Sequence, residues 1–178
     1  MRCLLLVLDT SWRGEYPNIV QALKETGNDV DVGIVSPDVD VNYRYELVYE
    51  KYDVQELVDS YDAFGIVGGY RLYYITCGKR FPCRKLESPK INMQVVDEVV
   101  KRAFEQNKLI IAPIAAPAYL AKLGILKGRK ATVYPTTDLI KILVENGVEF
   151  VNDVVVRDGN VITLKKIDVE ELKKKLVS

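Results

Sequence analysis

Histidine is absent from all 178 residues. With it go the commonest general base near neutral pH and the commonest nitrogen ligand for transition metals. Neither a Ser-His-Asp nor a Cys-His arrangement can be assembled within one chain. A tetrahedral zinc site would need scattered cysteines and carboxylates, so no metal site is expected. Cysteine is sparse as well: Cys3, Cys77 and Cys83 are an odd set without the dense spacing of a secreted disulfide scaffold. Long apolar runs are missing too. The opening run ends at Asp9, too short to span a bilayer and without a signal-peptide cleavage pattern. A cytoplasmic protein with no membrane partner is therefore expected. Charge of one sign is equally lacking, since 25 Lys and Arg balance 25 Asp and Glu. Bulk attraction for nucleic acid is thus not expected, although a local patch can still bind a small anion.

What is present reads as alternating strands and helices. Residues 2–8 are a continuous apolar run, as a central parallel strand covered on both faces requires, with Cys3 an inert core thiol. A helix is expected from Tyr16-Pro17 to a stop at Gly27, and a strand over residues 30–34. Alternating tyrosines over residues 43–52 suggest an edge strand or short hairpin, and residues 53–59 a short helix. A buried strand over 62–67 breaks at Gly68-Gly69, and residues 70–90 read as one long connection. Asn92 can cap a helix whose apolar positions run from Val95 to Phe104. Further along come a strand at 109–112, a short helix at 117–123 stopped by Gly124, a strand at 131–134 and a helix capped by Thr136 or Thr137. Residues 154–164 read as a hairpin about Asp158-Gly159, and Asp168 with Glu171 as a capping box. The expected fold is α/β, a flavodoxin-like three-layer sandwich: a mostly parallel sheet, helices on both faces and a C-terminal β-hairpin. No repeat or linker divides the chain, so one domain over residues 1–178 is expected.

In an open parallel sheet ligands bind at the carboxyl ends of the strands. Residues 9–15, 68–71 and 113–117 fall there. Gly68 and Gly69 can bring backbone N–H groups close to an oxyanion with Arg71 beside them, though a glycine pair is also simply a tight turn. The stretch 70–90 interleaves Arg71, Lys79, Arg80, Arg84 and Lys85 with aromatic residues, a pattern that can bind one small anion or nucleotide but is more often a solvated loop or subunit contact. Cys77 and Cys83 lie among these cations, which lower a thiol pKa. Idle thiols, a Cys77–Cys83 disulfide and a reactive cysteine are the three readings.

APIAAP at 112–117, KLGILKGRKATVYP at 122–135, NGVEFVND at 146–153, VVVRDGNVIT at 154–163 and YDAFGIVGG at 61–69 together resemble the ThiJ/PfpI family of the class I glutamine amidotransferase-like superfamily. The resemblance spans nearly the whole chain and implies the same flavodoxin-like fold. It also implies a strand-to-helix elbow carrying A-I-C-H-G-P, whose cysteine is activated by the helix N-terminus and by a carboxylate from the loop after the first strand.

The departures fall on those functional positions. Ile114 stands where the nucleophilic cysteine would be, Ala115 replaces the histidine and Ala116 the glycine. Counting for the carboxylate lands near Thr10 or Trp12, neither acidic, and Glu15 is the nearest substitute. The usual protease, glyoxalase or deglycase-type chemistry is therefore not expected. A catalytically degenerate binding or structural protein, homo-oligomeric and without cofactor, is the leading expectation. The alternatives are a hydrolase or glyoxalase/deglycase-type enzyme relocated to Cys77, Cys83 or Glu15, and anion or nucleotide binding by residues 70–90.

Overall fold

The structure is a computed structural model describing residues 1–49, 52–84, 86–87 and 90–178. Glu50 and Lys51 of the tyrosine-rich edge, and Lys85 of the basic connection, lie outside the described residues.

Seven strands form one sheet in the order β3-β2-β1-β4-β5-β9-β8. These are β1 (Arg2–Val7), β2 (Asp29–Ile34), β3 (Tyr45–Glu46), β4 (Ala63–Val67), β5 (Leu109–Pro113), β8 (Val155–Asp158) and β9 (Val161–Leu164). All neighbours pair in parallel except β8 with β9, the C-terminal hairpin. Side chains alternate across a strand, and β1 divides accordingly. Leu4, Leu6 and Leu8 join one core; Cys3, Leu5 and Val7 join the other. The first core is covered by α2 (Val54–Asp59), α3 (Gly69–Cys77), α4 (Met93–Glu105), α5 (Ala116–Lys122) and α6 (Thr137–Glu145). The second is covered by α1 (Glu15–Glu25) and α7 (Val169–Leu176). This is the three-layer α/β sandwich expected from the alternation of elements.

Caps follow the sequence closely. Asn92 Oδ1 accepts from Val95 N–H at 3.2 Å, Thr136 Oγ1 from Leu139 N–H at 3.2 Å and Asp168 Oδ1 from Glu171 N–H at 3.1 Å. Each satisfies an amide that the helix leaves unpaired.

Three local expectations need correction, and one open alternative resolves. The helix α1 starts at Glu15, one residue before Tyr16, because Gly14 supplies the left-handed turn into it. Of the edge strand or short hairpin expected at the tyrosine-rich stretch, the edge strand is present, as the two-residue parallel β3. Residues 70–90 are not one connection, since α3 occupies the first part with Leu72 and Thr76 buried. The strand expected at 131–134 is β6 (Lys130–Ala131), which pairs with β7 (Glu149–Phe150) in a separate parallel sheet.

Candidate functional site

The sheet runs outward in opposite directions from β1 and β4, since β2 follows on one side and β5 on the other. A crevice at the carboxyl ends of those two strands is where open α/β sheets bind ligands. Two loops meet there. The loop after β1 reaches the amides at the start of α3 with three side chains. Glu15 Oε1 accepts from Gly69 N–H at 2.9 Å, Ser11 Oγ from Tyr70 N–H at 3.1 Å and Asp9 Oδ2 from Arg71 N–H at 3.4 Å. Asp9 also accepts from Ser11 N–H at 3.1 Å and from the Ser11 hydroxyl, which ties the loop into one unit. Glycine is required at Gly69 by this approach. Its φ is +56°, and a Cβ would stand 2.3 Å from Asp9 Oδ2. At Gly68 a Cβ would meet the Leu72 Cβ at 2.4 Å.

Aromatic rings close the crevice from above. Trp12 packs against Tyr70 with ring centroids 4.7 Å apart and edge-on against Tyr134 at 4.8 Å. Tyr134 N–H donates to Ile114 O at 3.0 Å, which brings the second loop into the same assembly.

That second loop is the elbow between β5 and α5. Ile114 has φ +63° and is 1% exposed. Its N–H donates to Leu164 O at 2.9 Å, pinning the turn to β9. A β-branched residue in the left-handed region is strained. The backbone conformation of a nucleophile elbow is thus present while the side chain has no nucleophilic atom. Ala115 and Ala116 are buried beside it and offer no proton.

Glu15 is the one buried acid of the site with an atom to spare. It is 1% exposed, and its Oε2 has no hydrogen-bond partner. Burial pushes its carboxyl up to about 8 and the Asp9 carboxylate pushes the same way, against the Gly69 N–H bond. Glu15 therefore holds its proton at neutral pH. Sequence counting placed the acid near Thr10 or Trp12; the structure puts Glu15 in the crevice because the Gly14 turn folds the helix start inward.

Of the remaining candidates, Gly69 meets Glu15 through its backbone N–H. Arg71 is 3% exposed and clamps three segments: its guanidinium donates to Leu8 O at 3.0 Å and Leu86 O at 2.9 Å, and pairs with Asp38 through both nitrogens. That pairing holds Asp38 below the ordinary carboxylate range. Of the anion subsite expected at Gly68, Gly69 and Arg71, the Gly69 N–H bonds Glu15 and the Arg71 guanidinium bonds Asp38 and two backbone carbonyls. Cys77 lies at the far end of α3, eight residues on, or about 12 Å along the helix axis. Its thiol is raised, first by burial and then by Asp138, which outweigh Lys79 and Lys122. The expected activation by neighbouring cations is thereby reversed. Lys79 is itself paired with Asp138. Cys83 is exposed, and neither thiol is in a disulfide. Among the described residues no group of His, Cys, Asp and Glu is placed to hold a metal ion, and no helix is long and apolar enough to cross a membrane. A polar cavity of about 450 Å³ adjoins the loop, its lining including Asp9, Thr10, Ser11, Asp38, Arg71 and Arg84. Ser11, Trp12 and Tyr134 were missed individually. The signal for the first two was their position just past the end of an apolar strand.

A flavodoxin-like sandwich with a left-handed strand-to-helix elbow and an acid from the first loop defines a class of α/β domain. Within that class, residues 84–178 match the model of the DJ-1/PfpI family, and the chain belongs to it. A deglycase of Pyrococcus abyssi is 27% identical over 165 residues, which cover 90% of this chain and 87% of that protein. An uncharacterized protein of Methanocaldococcus jannaschii is 45% identical over 75 residues, 42% of this chain and only 37% of the relative's length. Among solved structures, a ThiJ/PfpI domain protein of Brachyspira murdochii superposes with a TM-score of 0.72 at 14% identity, covering 99% of this chain and 94% of that one. A two-domain protein of Anabaena variabilis, with DJ-1/ThiJ/PfpI-like and ferritin-like domains, gives 0.64 at 20% identity and covers 92% of this chain but 43% of its own. The likeness to these structures is one of fold.

Proposed function

We propose that this chain is a DJ-1/PfpI-family domain whose elbow performs no covalent chemistry, and that it serves as a binding or structural homo-oligomer in the cytoplasm. The observation that carries the reading is Ile114, buried at 1% exposure in the strained position where a nucleophile would need to reach substrate. Exposed Tyr43, Tyr49 and Tyr52 at the β3 edge support self-association. One domain spans residues 1–178 in this reading. The test is turnover of glycated, aldehyde, ester and peptide substrates by the purified chain, alongside sedimentation. No turnover and a stable oligomer are expected. Turnover that Glu15→Gln, Cys77→Ala or Cys83→Ala abolishes would sink it, as would a monomer that binds nothing in thermal-shift screens.

Deglycase-type chemistry is the second reading, favoured by the names of the Pyrococcus relatives and by the proton that Glu15 holds at neutral pH. It requires a nucleophile at the crevice, which Cys77, at the far end of α3, does not supply. Binding of a small anion by exposed Arg80 and Arg84 predicts a salt-sensitive affinity that charge reversal at both removes.

A further inference from the structure

We propose that residues 9–15 form a proton-operated lid over the strand ends, closed while Glu15 is neutral and opened when it ionises. The loop is fastened at one place. Glu15, Ser11 and Asp9 occupy the first three amides of α3, and Trp12 rests on Tyr70 of that helix and on Tyr134. Glu15 N–H donates back to Trp12 O at 3.2 Å, so the acid and the ring move as one turn.

Ionisation leaves a charge in that turn that no hydrogen bond or ion pair among the described residues balances. Oε2 is buried without a hydrogen-bond partner, and one N–H at Oε1 is insufficient for a buried carboxylate. The neighbouring charge is Asp9, of the same sign. From α3, the Arg71 guanidinium is committed to Asp38 and to two backbone carbonyls. Arg84 and Glu87, of opposite sign, line the adjoining cavity together with Asp9 and Ser11. When the proton leaves to solvent, the cheapest response is for the short loop to swing outward and hydrate the carboxylate. That movement lifts Trp12 off both tyrosines and uncovers the α3 amides and the Ile114 turn. The elevated carboxyl, at about 8, sets the range in which this happens. The lid is independent of whether the elbow has any chemistry.

Trp12 is the only tryptophan in the chain, so its emission reports on the lid alone. The experiment follows Trp12 emission and acrylamide quenching from about pH 6 to about pH 9, with far-ultraviolet circular dichroism as the check on global folding. Quenching should rise severalfold around pH 8 with unchanged helix content, and Glu15→Gln should stay closed throughout. Asp9→Asn, which removes the like charge, should move the midpoint to lower pH. A flat wild-type profile, or a Glu15→Gln profile that follows the wild type, overturns the lid. Should Glu15→Gln fail to fold, an unmoved midpoint in Asp9→Asn overturns it.

Discussion

Replacing Ile114 by Ala and by Gly isolates the strain of the elbow from the packing of its side chain. Both variants leave nearly the same hole, since Ile114 is 1% exposed and most of its side chain is lost in either. Each should be less stable than wild type by about 2–5 kcal/mol, the usual range for truncating a buried aliphatic. The informative quantity is the difference between them. At an unstrained buried position Gly is worse than Ala by roughly 1.5 kcal/mol, from about 0.8 for a buried methyl and a similar conformational-entropy cost. Here φ is +63°, which costs a non-glycine residue about 1–2 kcal/mol that Gly does not incur. The two contributions nearly cancel, so the Gly variant should match or exceed the Ala variant in urea unfolding. Midpoints compared at equal m-values are the assay. A Gly variant weaker than Ala by the full unstrained difference would refute the claim that the elbow retains its strained backbone.

The other predictions use the site and its surroundings. Glu15 stands at about 8 against an ordinary value near 4.5, so the folded state binds the extra proton between those values. Stability from this group is therefore complete below about pH 4.5 and lost as pH rises through about 8. The ceiling on that loss is roughly 5 kcal/mol, reduced by any outward movement of the loop. Chemical denaturation at several pH values should show wild type weakening towards pH 9 while Glu15→Gln does not; parallel profiles would refute the shift. Gly69→Ala should destabilise by roughly 3 kcal/mol or more, because its Cβ meets Asp9 at 2.3 Å in a left-handed backbone. A melting temperature within a degree or two of wild type would show that the loop does not approach so closely. Alkylation followed by mass spectrometry should modify Cys83 first, Cys77 slowly and Cys3 only on unfolding, since Cys3 is buried and its thiol is pushed up to about 11. Equal rates at Cys77 and Cys83 would contradict the raised thiol at Cys77.

Much of the fold was legible because its signals are local. The alternation of β1, the caps at Asn92, Thr136 and Asp168, and the hairpin turn are each settled by a few neighbouring residues. Helix α3 was not, since Gly68-Gly69 reads as a turn and the tyrosines after it carry no clear period. Its start is held by Glu15, Ser11 and Asp9, more than fifty residues earlier in the chain. Glu15 was ambiguous for the same reason. Distance along the chain cannot say whether a carboxylate at the start of a helix faces water or the sheet, and Gly14 decides it here.

The side chain of the elbow and the backbone that carries it follow different physical rules. Changing the side chain at position 114 removes a reactive atom at no cost to the sheet. The turn itself is held by Leu164 and Tyr134 through its backbone, which is indifferent to the side chain. Glu15 is likewise held by a backbone amide of Gly69. Strain at the turn and a buried acid beside it are therefore held in place whatever side chain position 114 carries. An acid kept neutral in such a position still has one property that survives without a nucleophile, which is that its ionisation is tied to the packing of the loop that carries it.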